Sequence, residues 1–161
     1  YSPEGVLEST GEDARDDRPV YSERDTVYLR GEEGSAPIPL TSDDDRYFNP
    51  VLSPDGQYVV YQGLYTGLYI MKADGTGGAH FIGSGNHAVW MPDSSGVLFD
   101  VTTDDGHNLT GGDLYYVDVD LSERTNLTPG DRDIAQTPHV GPDGRMVVFE
   151  VDGEIYYGQL Q

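Results

Sequence analysis

Short alternating segments broken by tight turns, one strand-turn-strand-strand-turn-strand order that recurs, and a spacing of roughly 40 to 50 residues between recurrences predict an all-β chain, a β-propeller of four-stranded antiparallel blades. The clearest unit runs from Phe48 to Ile82. Val51 to Ser53 leads into Pro54-Asp55-Gly56, where the proline presets φ and the glycine accepts a positive φ, so the chain reverses into Gln57 to Gln62. That second segment alternates and is rich in Val and Tyr, as a half-buried strand requires. Leu68 to Lys72 is the third strand. It ends in Ala73-Asp74-Gly75-Thr76, a tight turn centred on Asp-Gly, and Ala79 to Ile82 is the fourth.

The order repeats downstream. His87 to Val101, Asp113 to Asp120 and Arg124 to Thr128 restate it, with Pro92-Asp-Ser-Ser-Gly reading as a turn one residue longer than Pro-Asp-Gly. Thr137 to Glu150 and Glu154 to Leu160 begin it again. Upstream, Thr26 to Arg30 and Ala36 to Thr41 read as the last two strands of a degenerate first blade, Arg18 to Ser22 as its innermost strand, and Gly11 to Arg18 as a charged mobile loop. The expected layout is a single domain over residues 1–161, with the degenerate blade over about 1–41 and three recognisable blades over 47–82, 86–128 and 136–161.

Ser53-Pro-Asp-Gly, Leu68-Tyr-Ile-Met-Lys-Ala-Asp-Gly-Thr, and the pairing of Asp113-Leu-Tyr-Tyr-Val-Asp with Asn126-Leu-Thr resemble the WD40-like (PD40) β-propeller repeat of TolB-type proteins. The resemblance spans about Thr26 to Leu160. It departs where the acidic residue opening Asp113-Leu-Tyr is Gly67 in the first full blade and Glu154 in the last. It implies a periplasmic or otherwise extracytoplasmic module of the bacterial cell envelope that contacts protein and is not itself an enzyme. The alternative it leaves open is the propeller of prolyl-oligopeptidase-like peptidases, which gates the hydrolase domain.

The formal charge of −20 sets 29 acidic residues against nine basic ones, of which Lys72 is the single lysine. A polyanion binder needs the opposite sign, which makes DNA, RNA and anionic lipid surfaces poor partner candidates, so no nucleic acid partner and no membrane insertion are expected; cations and basic proteins remain. Asp outnumbers Glu, a surface suited to concentrated salt, where screening removes most self-repulsion. Without cysteine there is neither a disulfide framework nor a thiolate nucleophile. No run approaches the length needed for a membrane-inserted helix.

In such a blade the Pro-Asp-Gly and Asp-Gly turns share one face. The irregular connections, Ser42 to Tyr47, Gly63 to Gly67, Gly83 to Asn86, Thr102 to Gly112 and Pro129 to Ala135, share the other, and that face is the candidate binding surface for a protein partner. Asp43, Asp44 and Asp45 precede one innermost strand, and Asp131 and Asp133 precede another at the equivalent place. Oxygens from adjacent blades would suit Ca²⁺, but solvated carboxylates are the simpler reading in so acidic a chain, and no cofactor is expected. Asp104, Asp105, His107 and Asp113 sit in the longest connection, either an elaborated contact or a tolerated insertion. His87 and His139 fall near the starts of innermost strands. Imidazoles there could hold a transition metal, yet no third ligand accompanies them, and polar residues satisfied by neighbours are the simpler reading. Tyr58, Tyr61, Tyr69, Tyr115, Tyr116, Tyr156 and Tyr157 recur at equivalent strand positions and are expected to pack blade on blade, as is Trp90.

No Gly-x-Ser-x-Gly elbow, His-Glu-x-x-His or Walker loop occurs. Asn108-Leu-Thr and Asn126-Leu-Thr match glycosylation sequons, the second inside the repeat itself. Finally, the last blade has no residues left for a rim strand. Closure is expected through Val6 to Thr10, through a second chain, or through a longer propeller, and the expected outcome is self-association along Tyr156 to Leu160.

Overall fold

The computed structural model describes residues 19–42, 44–130 and 133–160; Asp43, Asp131 and the expected loop Gly11 to Arg18 lie outside them. The described residues form four antiparallel sheets, each a meander, and no helix. Blade A holds β1 (Val20–Glu23), β2 (Thr26–Leu29) and β3 (Ile38–Pro39). Blade B holds β4 (Tyr47–Leu52), β5 (Tyr58–Gly63), β6 (Gly67–Lys72) and β7 (Ala79–Gly83). Blade C holds β8 (Asn86–Trp90), β9 (Gly96–Asp104), β10 (Leu109–Asp118) and β11 (Arg124–Asn126). Blade D holds β12 (Ala135–Val140), β13 (Met146–Val151) and β14 (Glu154–Gln159).

One cross-strand pair marks the same register in every blade. Tyr21 faces Tyr28, Tyr61 faces Tyr69, Phe99 faces Tyr115 and Phe149 faces Tyr156. Their rings stack with centroids 5.6, 5.6, 5.9 and 6.2 Å apart, the offset packing that aromatic pairs prefer. In blades B, C and D this pair joins the second and third strands. The segment expected as the innermost strand of the first blade, β1, is therefore its second strand, and the described part of blade A begins there.

The register also explains the unbroken apolar runs. The second strands of blades B and C are covered on both faces, so their successive residues feed successive seams between blades. Val59 and Tyr61 join Val20, Val27 and Met71 between blades A and B. Val60 joins Leu68, Ile70, Trp90, Val97 and Phe99 between B and C. Leu98 joins Met91, Leu114, Val147 and Val151 between C and D. The seams are tied by hydrogen bonds as well, since Trp90 Nε1–H donates to the Val51 carbonyl of the preceding blade at 2.9 Å.

The turns after the innermost strands are all of one length, which corrects the reading of Pro92-Asp-Ser-Ser-Gly as longer. The amides of Gly56, Ser94 and Gly144 donate to Ser53, Met91 and Gly141, and Ser94 adopts φ 63° where the others have glycine. A buried hydroxyl offsets that conformation: Ser94 Oγ accepts the Asp55 N–H of the neighbouring blade at 3.0 Å. Each turn is capped by its aspartate, with Asp55, Asp93 and Asp143 accepting the amides of Gln57, Ser95 and Arg145 at 3.0 Å.

Candidate functional site

Among the irregular connections, the β5–β6 turn is clamped to the segment that precedes β4. Leu64 N–H donates to the Arg46 carbonyl at 2.9 Å. Asp45 accepts from Tyr65 N–H at 3.3 Å, Thr66 Oγ1 at 2.5 Å and Arg46 N–H at 2.7 Å. Partial desolvation pushes the Asp45 carboxyl up, but these donors, Thr66 foremost, outweigh it and hold it below the usual carboxylate range. Beside it Asp44 accepts from Ser42 Oγ at 2.7 Å and Tyr47 OH at 3.0 Å; these bonds lower its pKa. Burial, and then the bond to Asp44, push the Tyr47 phenol up to about 12. The clamped turn displays two apolar residues to solvent, Leu64 (49% exposed) and Tyr65 (79%).

Asp104, Asp105 and His107 form the tip of a long hairpin rather than an open loop. Residues expected as a connection from Thr102 to Gly112 are mostly strand, because β9 and β10 continue their pairing to Asp104 and Leu109 through a bulge. The tip closes on itself: Asp105 Oδ1 accepts the amides of His107 and Asn108, and His107 Nδ1 meets its own turn at the Gly106 carbonyl. Asp113 lies away from the tip. It accepts from Asn126 Nδ2 and Thr128 Oγ1, each at 3.2 Å, while Thr128 Oγ1 accepts the Leu114 N–H at 3.0 Å. Asn126 and Asp113 thus tie the rim strand β11 to β10. Thr41 plays the Thr128 part in blade A, accepting the Val27 N–H at 3.0 Å.

Asp133 is exposed and stands where Asp45 stands in blade B, because Ala135 and Tyr47 hold the same register position. The two belong to blades separated by blade C, not to adjacent ones, which corrects the expected geometry for Ca²⁺. Among the described residues no three acidic or histidine side chains converge on one metal position.

The inner strands carry what the sequence concealed. A bulge interrupts each of them, and at it Asn49, His87 and Thr137 adopt φ of 50°, 50° and 49°. His87 is therefore the counterpart of Asn49 and Thr137. His139, exposed two residues further on, corresponds to Val51 and Val89 and pairs with Val148, so the two histidines are not equivalent. The His87 side chain is 54% exposed, and its Nδ1 lies 2.7 Å from Oδ1 of Asp100, whose side chain is 1% exposed. The same oxygen accepts the Thr137 N–H of blade D at 3.1 Å. Oδ2 of Asp100 has no hydrogen-bond partner among the described residues. A carboxylate following Val97-Leu98-Phe99 was the available signal, since Asp is almost never fully buried unless paired.

Asp100 belongs to a series. Gln62, one blade earlier at the same register, sends Nε2 to the Gly85 carbonyl and Asn86 Oδ1 of blade C at 3.2 and 2.9 Å. Glu150 is the blade D member, on the face turned away from blade C. That face is open. Ile155 is 73% exposed where its counterparts Leu68 and Leu114 are 2% and 1%, and Tyr157 is 77% exposed where its counterpart Ile70 is 2%. Tyr156 and Tyr157, expected to pack blade on blade, remain 45% and 77% exposed.

No protein-family model and no curated protein matches the sequence. Solved structures match the fold. A putative TolB from Agrobacterium tumefaciens is 23% identical with a TM-score of 0.58, over 81% of this chain and 47% of that one. A tricorn protease is 9% identical with a TM-score of 0.65, over 81% of this chain and 13% of that one. A prolyl endopeptidase is 18% identical with a TM-score of 0.59, over 83% and 24% respectively. Together with the four meandering sheets, these likenesses define a β-propeller fold of the kind found in TolB and in peptidase propeller domains. The chain spans less than half the length of each of these structures.

Proposed function

We propose that this chain is a non-catalytic propeller module that works by binding protein, and that the trailing face of blade D is its principal contact. The observation that carries the reading is Ile155, 73% exposed at a register position that is sealed in blades B and C, with Tyr157 beside it 77% exposed where Ile70 of blade B is 2%. Exposed apolar patches of this kind mark contact surfaces. The sealed seams define what fits there: another blade, whose bulged inner strand offers an N–H to Glu150 as Thr137 does to Asp100. A second copy of the chain is one source of that blade. The Leu64–Tyr65 turn, rigid and rimmed by Asp44 and Asp45, supplies a second contact suited to a basic partner with an apolar pocket. The likeness to TolB supports a place in the cell envelope.

Sedimentation velocity over a micromolar concentration range tests the reading. The parent chain assembles with concentration, and Ile155→Glu with Tyr157→Glu abolishes assembly without lowering the melting temperature. A parent chain that stays a 17.6 kDa monomer at every concentration removes the second-copy source. A second reading, favoured by the peptidase neighbours, makes the chain the gating propeller of a hydrolase. Cleavage of proline-containing peptides by the purified chain joined to its adjoining sequence would establish that instead.

A further inference from the structure

Between the inner strands of blades B and C lies a concavity of about 280 Å³ that includes Asn49, Pro50, Val51, Gln62, Leu68 and His87 in its wall. Its polar groups offer acceptors. The Nδ1 of His87 faces the Asp100 carboxylate at 2.7 Å, so a neutral ring carries its proton on Nδ1 and presents a lone pair at Nε2. Gln62 spends its two amide donors on Gly85 and Asn86, which leaves Oε1. Asn49 adds a carboxamide oxygen from an exposed position. The remaining wall is aliphatic.

We infer that this concavity binds a primary alkylammonium group, the three N–H donors going to His87 Nε2, Asn49 Oδ1 and Gln62 Oε1 and the aliphatic stem lying along Pro50, Val51 and Leu68. An ammonium has three donors and no acceptor, and His87, Asn49 and Gln62 each offer it one acceptor. Its stem is the part that lysine buries along apolar walls while the head stays polar. The buried Asp100, with one oxygen unpartnered, polarises the imidazole and places negative charge behind it. An anion is opposed by that charge. A hard divalent cation lacks a carboxylate in the wall, and a transition metal lacks a second imidazole. The group is a lysine side chain of a bound segment or a free alkylamine. The site uses none of the residues at the blade D face, so the two readings stand or fall separately.

The test follows the ring nitrogens of His87 by long-range ¹H–¹⁵N NMR at fixed NaCl concentration. The titrants are n-butylammonium chloride, acetyl-Gly-Lys-Gly-amide, and the same peptide with norleucine for lysine. Saturable movement of His87 Nε2 with the lysine peptide, and binding of the norleucine peptide at least about tenfold weaker, is the expected result. If n-butylammonium binds as well as the lysine peptide, the head group and stem suffice and a free amine is the source; if it binds clearly less well, the source is a protein segment. Asn49→Gly, which removes the carboxamide where φ is 50° without strain, weakens both amines about tenfold. His87→Asn abolishes binding, while Asn49→Gly keeps the test interpretable should that variant unfold. Equal binding of lysine and norleucine peptides, no movement of the His87 signal with either amine, or an Asn49→Gly variant that binds as the parent does would overturn the proposal.

Discussion

Replacing Trp90 by phenylalanine removes the indole that pins blade C to blade B. The indole N–H donates to the Val51 carbonyl at 2.9 Å, the residue is 8% exposed, and its ring lies 6.4 Å from that of Tyr58. Phenylalanine keeps an aromatic ring in the seam but has no donor. The lost bond costs about 1 kcal/mol net, since a carbonyl in a mostly covered seam regains only part of its hydration. The smaller ring leaves an unfilled volume worth about 1 kcal/mol more, because closely packed seams relax only in part. The sum, about 2 kcal/mol, lowers the melting temperature by roughly 4 to 8 °C for a chain of this size. Far-ultraviolet circular dichroism melts and urea titrations read it directly, and an unchanged urea slope would show that the loss is stability rather than a different unfolded state. In the parent, emission of this sole tryptophan reports seam opening independently. A variant within about 0.5 kcal/mol of the parent would refute the claim that the indole couples the blades, and with it the claim that the inner strands bracketing His87 and Asn49 are held in fixed relation.

Thr128→Val deletes the acceptor for the Leu114 N–H, 3.0 Å away, and should cost about 1 to 2 kcal/mol in urea denaturation; parent-like stability would show that rim strand β11 is not tied through this hydroxyl. Acid should weaken the fold through the turn carboxylates. Asp55, Asp93 and Asp143 are held below 3.8 chiefly by Ser53, Ser95 and the Arg145 amide, so their contribution is complete above the unfolded value and is lost as pH falls through the lower folded values. A urea midpoint that stays flat below about pH 4 would contradict it. Stability should rise equally with NaCl and KCl, because screening relieves the self-repulsion of a −20 chain. Micromolar Ca²⁺ should change the melting temperature little, and a large stoichiometric shift would instead reveal a specific calcium site.

Local chemistry was legible in the sequence alone. Pro-Asp-Gly and Asp-Gly reverse a chain whatever surrounds them, and period-two alternation marks strands without reference to a partner, so the meander and its repeat could be read directly. The serine at position 94 is misread from sequence because its left-handed conformation is stabilised by an amide from the preceding blade, a contact 39 residues away. The second-strand role of β1 was hidden because a four-residue strand carries no mark of which neighbour it has. Site chemistry depended still more on assembly. Gln62, Asp100 and Glu150 occupy one register position, yet only the blade that follows decides whether such a side chain is a satisfied seam residue, a buried carboxylate shared between an imidazole and the next blade's amide, or part of an open surface. Leu68 and Ile155 make the same point in apolar terms: similar side chains at the same place, one 2% and the other 73% exposed. Hydrophobicity and turn propensity are written residue by residue, whereas burial is a property of what lies opposite, and only the tertiary structure brings that into place.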